Sequence, residues 1–338
     1  MSGLHAAVVI GRNEGERLVR CLRSLRGRTS ALVYVDSGSV DASAERAREL
    51  GAEVVELDGS LPYTAARGRN AGFDRLRAQD PSIGYVQFVD GDCEVQPGWI
   101  EAAADFLDDH PSVGVVCGRR RERQPDASLW NRLADLEWDT PVGEARECGG
   151  DAMMRAAALG AAGGFDARLI AGEESELCLR LRRAGWQIVR MDREMTLHDA
   201  APHRFGQWWR RAVRAGHAYA EGAFLHGGGP ERFRVRELLS ILVWGLALPL
   251  LALAVAPWTR SGSLLLLVGG YAFLASRVCA HRLRHGDPVR DACLYALTTV
   301  IGKIAQAEGA LRFAWNRFAR GRGSDLLEYK SVGRERDW

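Results

Sequence analysis

Lysine is nearly absent from this chain of 338 residues: it stands only at 303 and 330, so arginine supplies almost all of the 45 basic side chains. The 43 acidic residues leave a net charge of only +2, too little for a chain that grips nucleic acid by its overall field. Cysteine is equally sparse. Cys21, Cys93, Cys117, Cys148, Cys178, Cys279 and Cys293 form no C-x-x-C pair and are odd in number. That argues against a complete disulfide framework or a cysteine-based zinc site and fits a reducing cytoplasm. The charged, apolar and small-residue succession of a cleaved signal is missing, and a strand-like run begins almost at once. No G-x-x-x-x-G-K-[ST] occurs and no G-x-G-x-x-G follows the first strand, so P-loop and dinucleotide folds lose support.

What is present is unevenly spread. The first two thirds mix charged and apolar residues, whereas Leu238 to Ala280 is dominated by Leu, Ala and Val. A chain of this length outgrows a single core, which predicts one large domain with an appendage. The apolar run His5 to Gly11 reads as a buried parallel strand, followed by an amphipathic helix over 16–25. Further strands are expected at 31–35, 53–57, 85–89 and 113–117. Helices are expected at 42–50, 64–76, 100–107 and 177–184, the last ended by Gly185. This alternation predicts an α/β domain with a largely parallel sheet, whose ligands bind beyond the carboxyl ends of the strands. Arg12, Asp36 and Asp90 all fall there. The charge-crowded stretch Arg119 to Gln124 is expected to be a solvated loop.

Five groups of residues carry possible chemistry. At Asp90-Gly91-Asp92 an apolar strand delivers two carboxylates separated by a glycine. Mg²⁺ or Mn²⁺ takes such hard ligands together with substrate phosphates and offsets charge on a departing diphosphate. A solvated turn has the same sequence. Asp36 could accept from a nucleotide ribose, or simply shape the turn before Asp41, which suits a helix cap. Arg67 lies on a helix that either faces a diphosphate or is merely arginine-rich. Glu173 and Glu174 sit at a helix N-terminus, which favours carboxylates structurally, but a carboxylate can also deprotonate a hydroxyl. His198 is either a polar surface residue or the completion of a metal shell.

Beyond the catalytic segment, 238–258 and 264–280 are each long enough to cross a hydrocarbon core, a buried hairpin being the alternative. Arg277, Arg282, Arg284 and Arg290, with two histidines, place the enzyme domain on the cytoplasmic side of an inner membrane by the positive-inside rule. The stretch 292–315 contains Lys303, Gln306, Glu308 and Arg312 and reads as interfacial or re-entrant. Trp208, Trp209, Arg210, Arg211 and Arg214 suit lipid headgroups or an anionic acceptor.

In their order along the chain these motifs resemble glycosyltransferase family 2, the inverting enzymes of GT-A fold, in a bacterial membrane-associated form. The resemblance runs from about Ala6 to Asp199. It includes V-V-I-G-R-N-E, V-D-S-G-S-V-D-A-S, A-R-G-R-N-A-G, F-V-D-G-D, G-G-D-A-M-M-R, G-G-F-D, E-E-S-E-L and R-A-G-W. It implies a GT-A domain over 1–203, an amphipathic basic and aromatic linker over 204–237, and a helical membrane region over 238–338. It also implies Glu174 as the catalytic base, where the family more often has Asp, and a cation, Mg²⁺ or Mn²⁺, on Asp92 and His198. Contacts to the nucleotide sugar fall to Arg12, Glu14, Asp36, Arg67, Asn70, Asp90, Gly150, Asp151 and Glu173, with Asp90 supporting ribose and metal shell. The implied partners are a nucleotide-sugar donor, a lipid-linked or glycan acceptor and the membrane, and no nucleic acid. Processive synthases of the family carry Q-x-x-R-W; Gln207-Trp208-Trp209-Arg210-Arg211 lacks the final Trp, which favours transfer of single sugars. A catalytically inactive nucleotide-sugar binder and a nucleotidyltransferase are the competing readings.

Overall fold

The structure, a computed structural model, describes residues 4–199 and 204–321. It divides into two units: residues 4–124 together with 137–199, and residues 125–136 together with 204–321.

The first unit is built on a nine-stranded mixed sheet. Its N-terminal half alternates as the sequence predicts: β1 (His5–Gly11), α1 (Glu16–Leu25), β2 (Leu32–Asp36), α2 (Ser43–Glu49), β3 (Glu53–Glu56), α3 (Ala65–Gln79) and β4 (Tyr85–Asp90). Strand β1 pairs parallel with β2 on one side and β4 on the other, and β2 with β3. Ala6 to Val9 are wholly buried, which is why a continuous apolar run marks this strand. Thr64 caps α3 by accepting from the Arg67 N–H, and the helix lays Ala66, Arg69, Phe73 and Leu76 inward. An arginine on that face is the first departure from an ordinary amphipathic helix.

The second half of the sheet is mixed. It comprises β5 (Cys93–Val95), α4 (Trp99–Asp109), β6 (Val113–Glu122), α5 (Leu129–Glu137), β7 (Gly143–Glu144), β8 (Ala152–Arg155), α6 (Ala156–Ala161), α7 (Glu173–Arg183) and β9 (Gln187–His198). The path runs β3-β2-β1-β4-β8-β6-β9-β5, with β7 on β9. Strand β8 is antiparallel to both β4 and β6, whereas β6 and β9 are parallel. The expected solvated loop at 119–124 is corrected here, because β6 continues through Glu122. Two-residue alternation explains it: exposed Arg121 pairs with Glu194 at 2.6 Å, while Arg120 and Glu122 turn inward.

The second unit is helical. It contains most of α5, then α8 (Phe205–His226), α9 (Val235–Leu242), α10 (Leu248–Val255), α11 (Gly262–Arg284) and α12 (Val289–Ala314). A π-helical stretch, Val243–Ala247, joins α9 to α10. The segment read as a linker thus contains a 22-residue helix, and α8 packs lengthwise on α12. Their backbones touch: a Cβ on Gly216 would lie 2.0 Å from the Gln306 carbonyl oxygen, and one on Gly309 1.9 Å from that of Val213. Trp208 is buried and stacks on Trp130 at 5.2 Å, and the Trp209 indole donates to Glu308, so these rings are not offered to headgroups; Arg210 and Arg211 stay exposed. Helix α12 is unbroken over 26 residues, which replaces the re-entrant reading. Two stretches, Val235–Val255 and Gly262–Arg284, are long and apolar enough to cross a membrane. Leu250, Leu251, Leu265 and Leu266 are each more than half exposed, unlike the core of a soluble hairpin.

Candidate active site

The parallel strands deliver their last residues to one edge of the sheet. Asp90 ends β4, and the Gly91 N–H donates to the Ile10 carbonyl at 2.8 Å, which turns the chain back beside β1. Strand β5 then pairs antiparallel with β9, setting Cys93 opposite His198. The Asp199 N–H closes on the Asp92 carbonyl at 2.9 Å. This register brings His198 Nε2 to 3.2 Å from Asp92 Oδ1, both side chains being buried. Trp138 presents its ring to the imidazole, with centroids 4.7 Å apart.

Beside this pair lies a compact ion cluster. Arg69 Nη2 donates to Asp90 Oδ1 at 2.9 Å, while Nη1 lies 2.7 Å from Glu173 Oε1 and 3.0 Å from Glu174 Oε1. Arg120 Nη2 lies 2.8 Å from Asp151 Oδ2 and 3.4 Å from Asp90 Oδ2. Asp151 is wholly buried; it accepts from the Asp90 N–H at 2.9 Å and from the Thr196 hydroxyl at 2.7 Å. Its carboxylate is therefore spent inside the protein, fixing Asp90 and Arg120. Gly150 passes so close that a Cβ there would lie 2.7 Å from both Arg69 Nη2 and Asp90 Oδ2.

Proton affinities follow from this arrangement. Burial opposes charge on Asp90, but Arg69 and Arg120 outweigh it and hold the carboxyl below the usual range. Glu174 goes the other way: burial, reinforced by the neighbouring Glu173, outweighs Arg69 and pushes it up to about 7. Two carboxylates that share one guanidinium thus have opposite shifts, as an anchor and a base require.

On the β2 side Asp36 is buried and accepts from Tyr34 Oη at 2.9 Å, from the Ser39 N–H at 2.8 Å and from the Ser39 hydroxyl at 2.5 Å. Burial and then Asp36 push the Tyr34 phenol up, so it remains a donor. The Asn13 N–H donates to Ser39 Oγ at 2.9 Å and its side chain accepts from the Val40 N–H at 2.8 Å, stitching the loops after β1 and β2 together. Glu14 is buried and ion-pairs with Arg17 at 2.8 Å, and the Arg12 guanidinium lies 5.3 Å from the Tyr63 ring centroid. Asp41 accepts from the Ser43 N–H at 3.0 Å, at the start of α2.

The structure thus gathers Asp90, Gly150, Asp151, Glu173 and Glu174 into one cluster and pairs Asp92 with His198. Two expected residues are engaged elsewhere. The Arg67 guanidinium donates to the carbonyls of Asp58, Leu61 and Pro62. Asn70 both donates to and accepts from the Phe165 backbone, at 2.7 and 2.9 Å, holding the G-G-F-D turn. Sequence reasoning missed Arg69, Arg120 and Trp138. Helical spacing does mark Arg69, which lies three residues from Ala66 and four from Phe73 on the buried face.

Among the described residues two sets of side chains could hold a cation: Asp92, Cys93 and His198, or Asp90, Cys93 and Asp151, with donor atoms within 4.8 Å in each. Burial, then Asp151, pushes the Cys93 thiol well up, so it stays a protonated, poor ligand for a hard ion. In the second set Asp151 is already committed to Arg120 and Thr196. Asp92 and His198 are the better fit, and among the described residues the buried His198 Nδ1 has no hydrogen-bond partner.

Comparison with known proteins bears on the fold that carries this geometry. Residues 7–156 match the family model described as Glycosyl transferase family 2. A TPR repeat-containing protein of Synechococcus elongatus is 28% identical over 135 residues, which are 39% of this chain and 31% of that protein. The match therefore spans about a third of that relative's length. A mannosyltransferase from Pyrobaculum calidifontis, solved in complex with GDP-Man and Mn²⁺, is similar over 94% of this chain and 88% of its own, at 19% identity and a TM-score of 0.64. S. aureus TarS aligns with 91% of this chain and 55% of its own, at 16% identity and a TM-score of 0.47. The family model thus spans β1 to β8, and the chain shares the fold of the mannosyltransferase, so the segment 7–156 is similar to glycosyl transferase family 2.

Proposed function

We propose that the protein transfers a sugar from a nucleoside-diphosphate sugar to an acceptor hydroxyl, with inversion at the anomeric carbon. The observation that carries this reading is the shared guanidinium: the donor-side Asp90 and the base Glu174 both end on Arg69, at 2.9 and 3.0 Å. Reagents anchored at the two carboxylates are thereby held side by side, which is the entropic part of catalysis. Asp36, with Ser39, lies at the end of β2 where a nucleotide ribose is received. Asp92 and His198 would hold a divalent cation, which would supply positive charge to offset that developing on a departing diphosphate. The Mn²⁺ in the mannosyltransferase complex supports this assignment.

Glu174 takes the proton of the acceptor hydroxyl, whose oxygen attacks the anomeric carbon as the bond to the diphosphate breaks on the opposite face. One displacement gives inversion. A base with a proton affinity near neutrality suits this task, since it is substantially ionised at pH 7 and still a competent acceptor. The apolar helical unit supports a place at a membrane, with the catalytic unit facing the cytoplasm and a lipid-linked or cell-envelope glycan as acceptor.

The test is nucleoside diphosphate release by the full chain, purified in detergent and screened against nucleotide sugars with Mn²⁺. Glu174→Gln should lower transfer by about 10²–10⁴-fold, the usual contribution of a positioned base. Transfer at the wild-type rate by both Glu174→Gln and Asp92→Ala would refute the mechanism.

A further inference from the structure

Arg69 performs no step in the mechanism above, yet it is the most heavily engaged side chain of the cluster. It arises mid-way along α3 and is only 2% exposed. Its two terminal nitrogens divide the work: Nη1 meets Glu173 and Glu174 at 2.7 and 3.0 Å, and Nη2 meets Asp90 at 2.9 Å. The Phe165 ring lies beneath the guanidinium at 5.6 Å, and the Gly150 backbone closes off Nη2. A planar fork boxed in this way has no freedom to follow a moving partner. Its partners must instead come to it.

The geometry points to Arg69 as the positioning residue of the transfer step: it fixes the Glu174 carboxylate for proton removal and ties it to the donor-side Asp90. This inference rests on the reading of Glu174 as the base. The groups facing Glu174 are Arg69 from α3, Asp90 from β4, Glu173 from its own helix and Cys148 from the segment before β8. Among these charges only Arg69 favours the ionised carboxylate; Glu173 and Asp90 favour the protonated form. The base is therefore set by a balance between a cation and two anions, and each side of the balance can be removed separately.

The experiment is the pH dependence of nucleoside diphosphate release by the detergent-purified full chain, using the nucleotide sugar taken in the screen above. Thermal unfolding against pH, without metal or donor, is the parallel readout that needs no activity. Removing the cation in Arg69→Met should move the acidic limb up by about 1–3 pH units, the usual effect of one close opposite charge. Glu173→Gln should move it down. Arg69→Lys keeps the charge but loses the fork, so its limb should stay near wild type while turnover falls about tenfold or more. A merely structural arginine predicts lower turnover with unmoved limbs. The inference is overturned if Arg69→Met and Glu173→Gln leave the limb in place or shift it in the same direction. Should Arg69→Met fail to fold, an unmoved limb in Glu173→Gln with full turnover in Arg69→Lys overturns it equally. Glu174→Gln separates the two readings. Wild-type activity there refutes the base itself, whereas loss of activity with unmoved limbs in the other variants refutes only the role of Arg69.

Discussion

Gly150→Ala is a small change with a large expected consequence. A methyl group at that position would lie 2.7 Å from Arg69 Nη2 and from Asp90 Oδ2. Ordinary contact needs well over 3 Å, so one or both groups must retreat by roughly half an ångström to an ångström. Arg69 has nowhere to go, being 2% exposed and flanked by Phe165. Asp90 is tethered through its own N–H to Asp151 and through its side chain to Arg120. Overpacking of this kind costs about 1–3 kcal/mol, and about 2–4 °C in Tm per kcal/mol for a domain of this size. The displaced pair also carries the donor-side aspartate and the base, and a misplacement near 1 Å costs about 10²-fold in rate. Calorimetry of the detergent-purified chain and nucleoside diphosphate release measure the two effects. Gly149→Ala is the matched control, because a Cβ there meets nothing within 4 Å. If Gly150→Ala matches Gly149→Ala in both Tm and turnover, the packing of this cluster is not what orders the site.

Other outcomes follow from single features. His198→Ala and Asp92→Asn should each weaken Mn²⁺ binding by about tenfold or more in calorimetric titration, with Cys93→Ala close to wild type. Turnover should rise with pH on a limb centred near 7, because the base must lose its proton. The same raised affinity makes the Glu174 contribution to stability complete below its ordinary value of 4.5 and lost as pH rises through about 7. Thermal unfolding of Glu174→Gln should accordingly lack that part of the decline. Gly309→Val should separate α12 from α8, since its side chain would enter the Val213 carbonyl, and a large fall in detergent-resistant folded protein would show it. The full chain should sediment with membranes and need detergent for release; recovery in a detergent-free soluble fraction would remove the membrane assignment.

Strands β1, β2 and β4 were readable because they are buried on both faces and announce themselves as apolar runs. Strands β5, β7 and β8, of two to four residues, have no such signature, and β9 reads as a charged stretch because its residues alternate between environments. The arginines at 119–121 were misread for the same reason. Composition marks them as solvated, while pairing with β9 makes the segment a strand and turns Arg120 inward.

The order of the motifs along the chain was enough to show the resemblance to the family and to nominate Asp90 and Asp92 at a strand end and Glu174 at a helix start. Covalent sequence also determines which residues can share a helix face, yet the sequence reading nominated Arg67 and passed over Arg69 two residues on. The tertiary structure reverses the two, by laying α3 on the sheet so that Arg69 meets three carboxylates and Arg67 meets a loop. It also brought His198 to Asp92 through the antiparallel pairing of β5 with β9. Periodicity is a property of the local chain. Which face is buried, and against which distant charge, depends on packing that no local segment encodes.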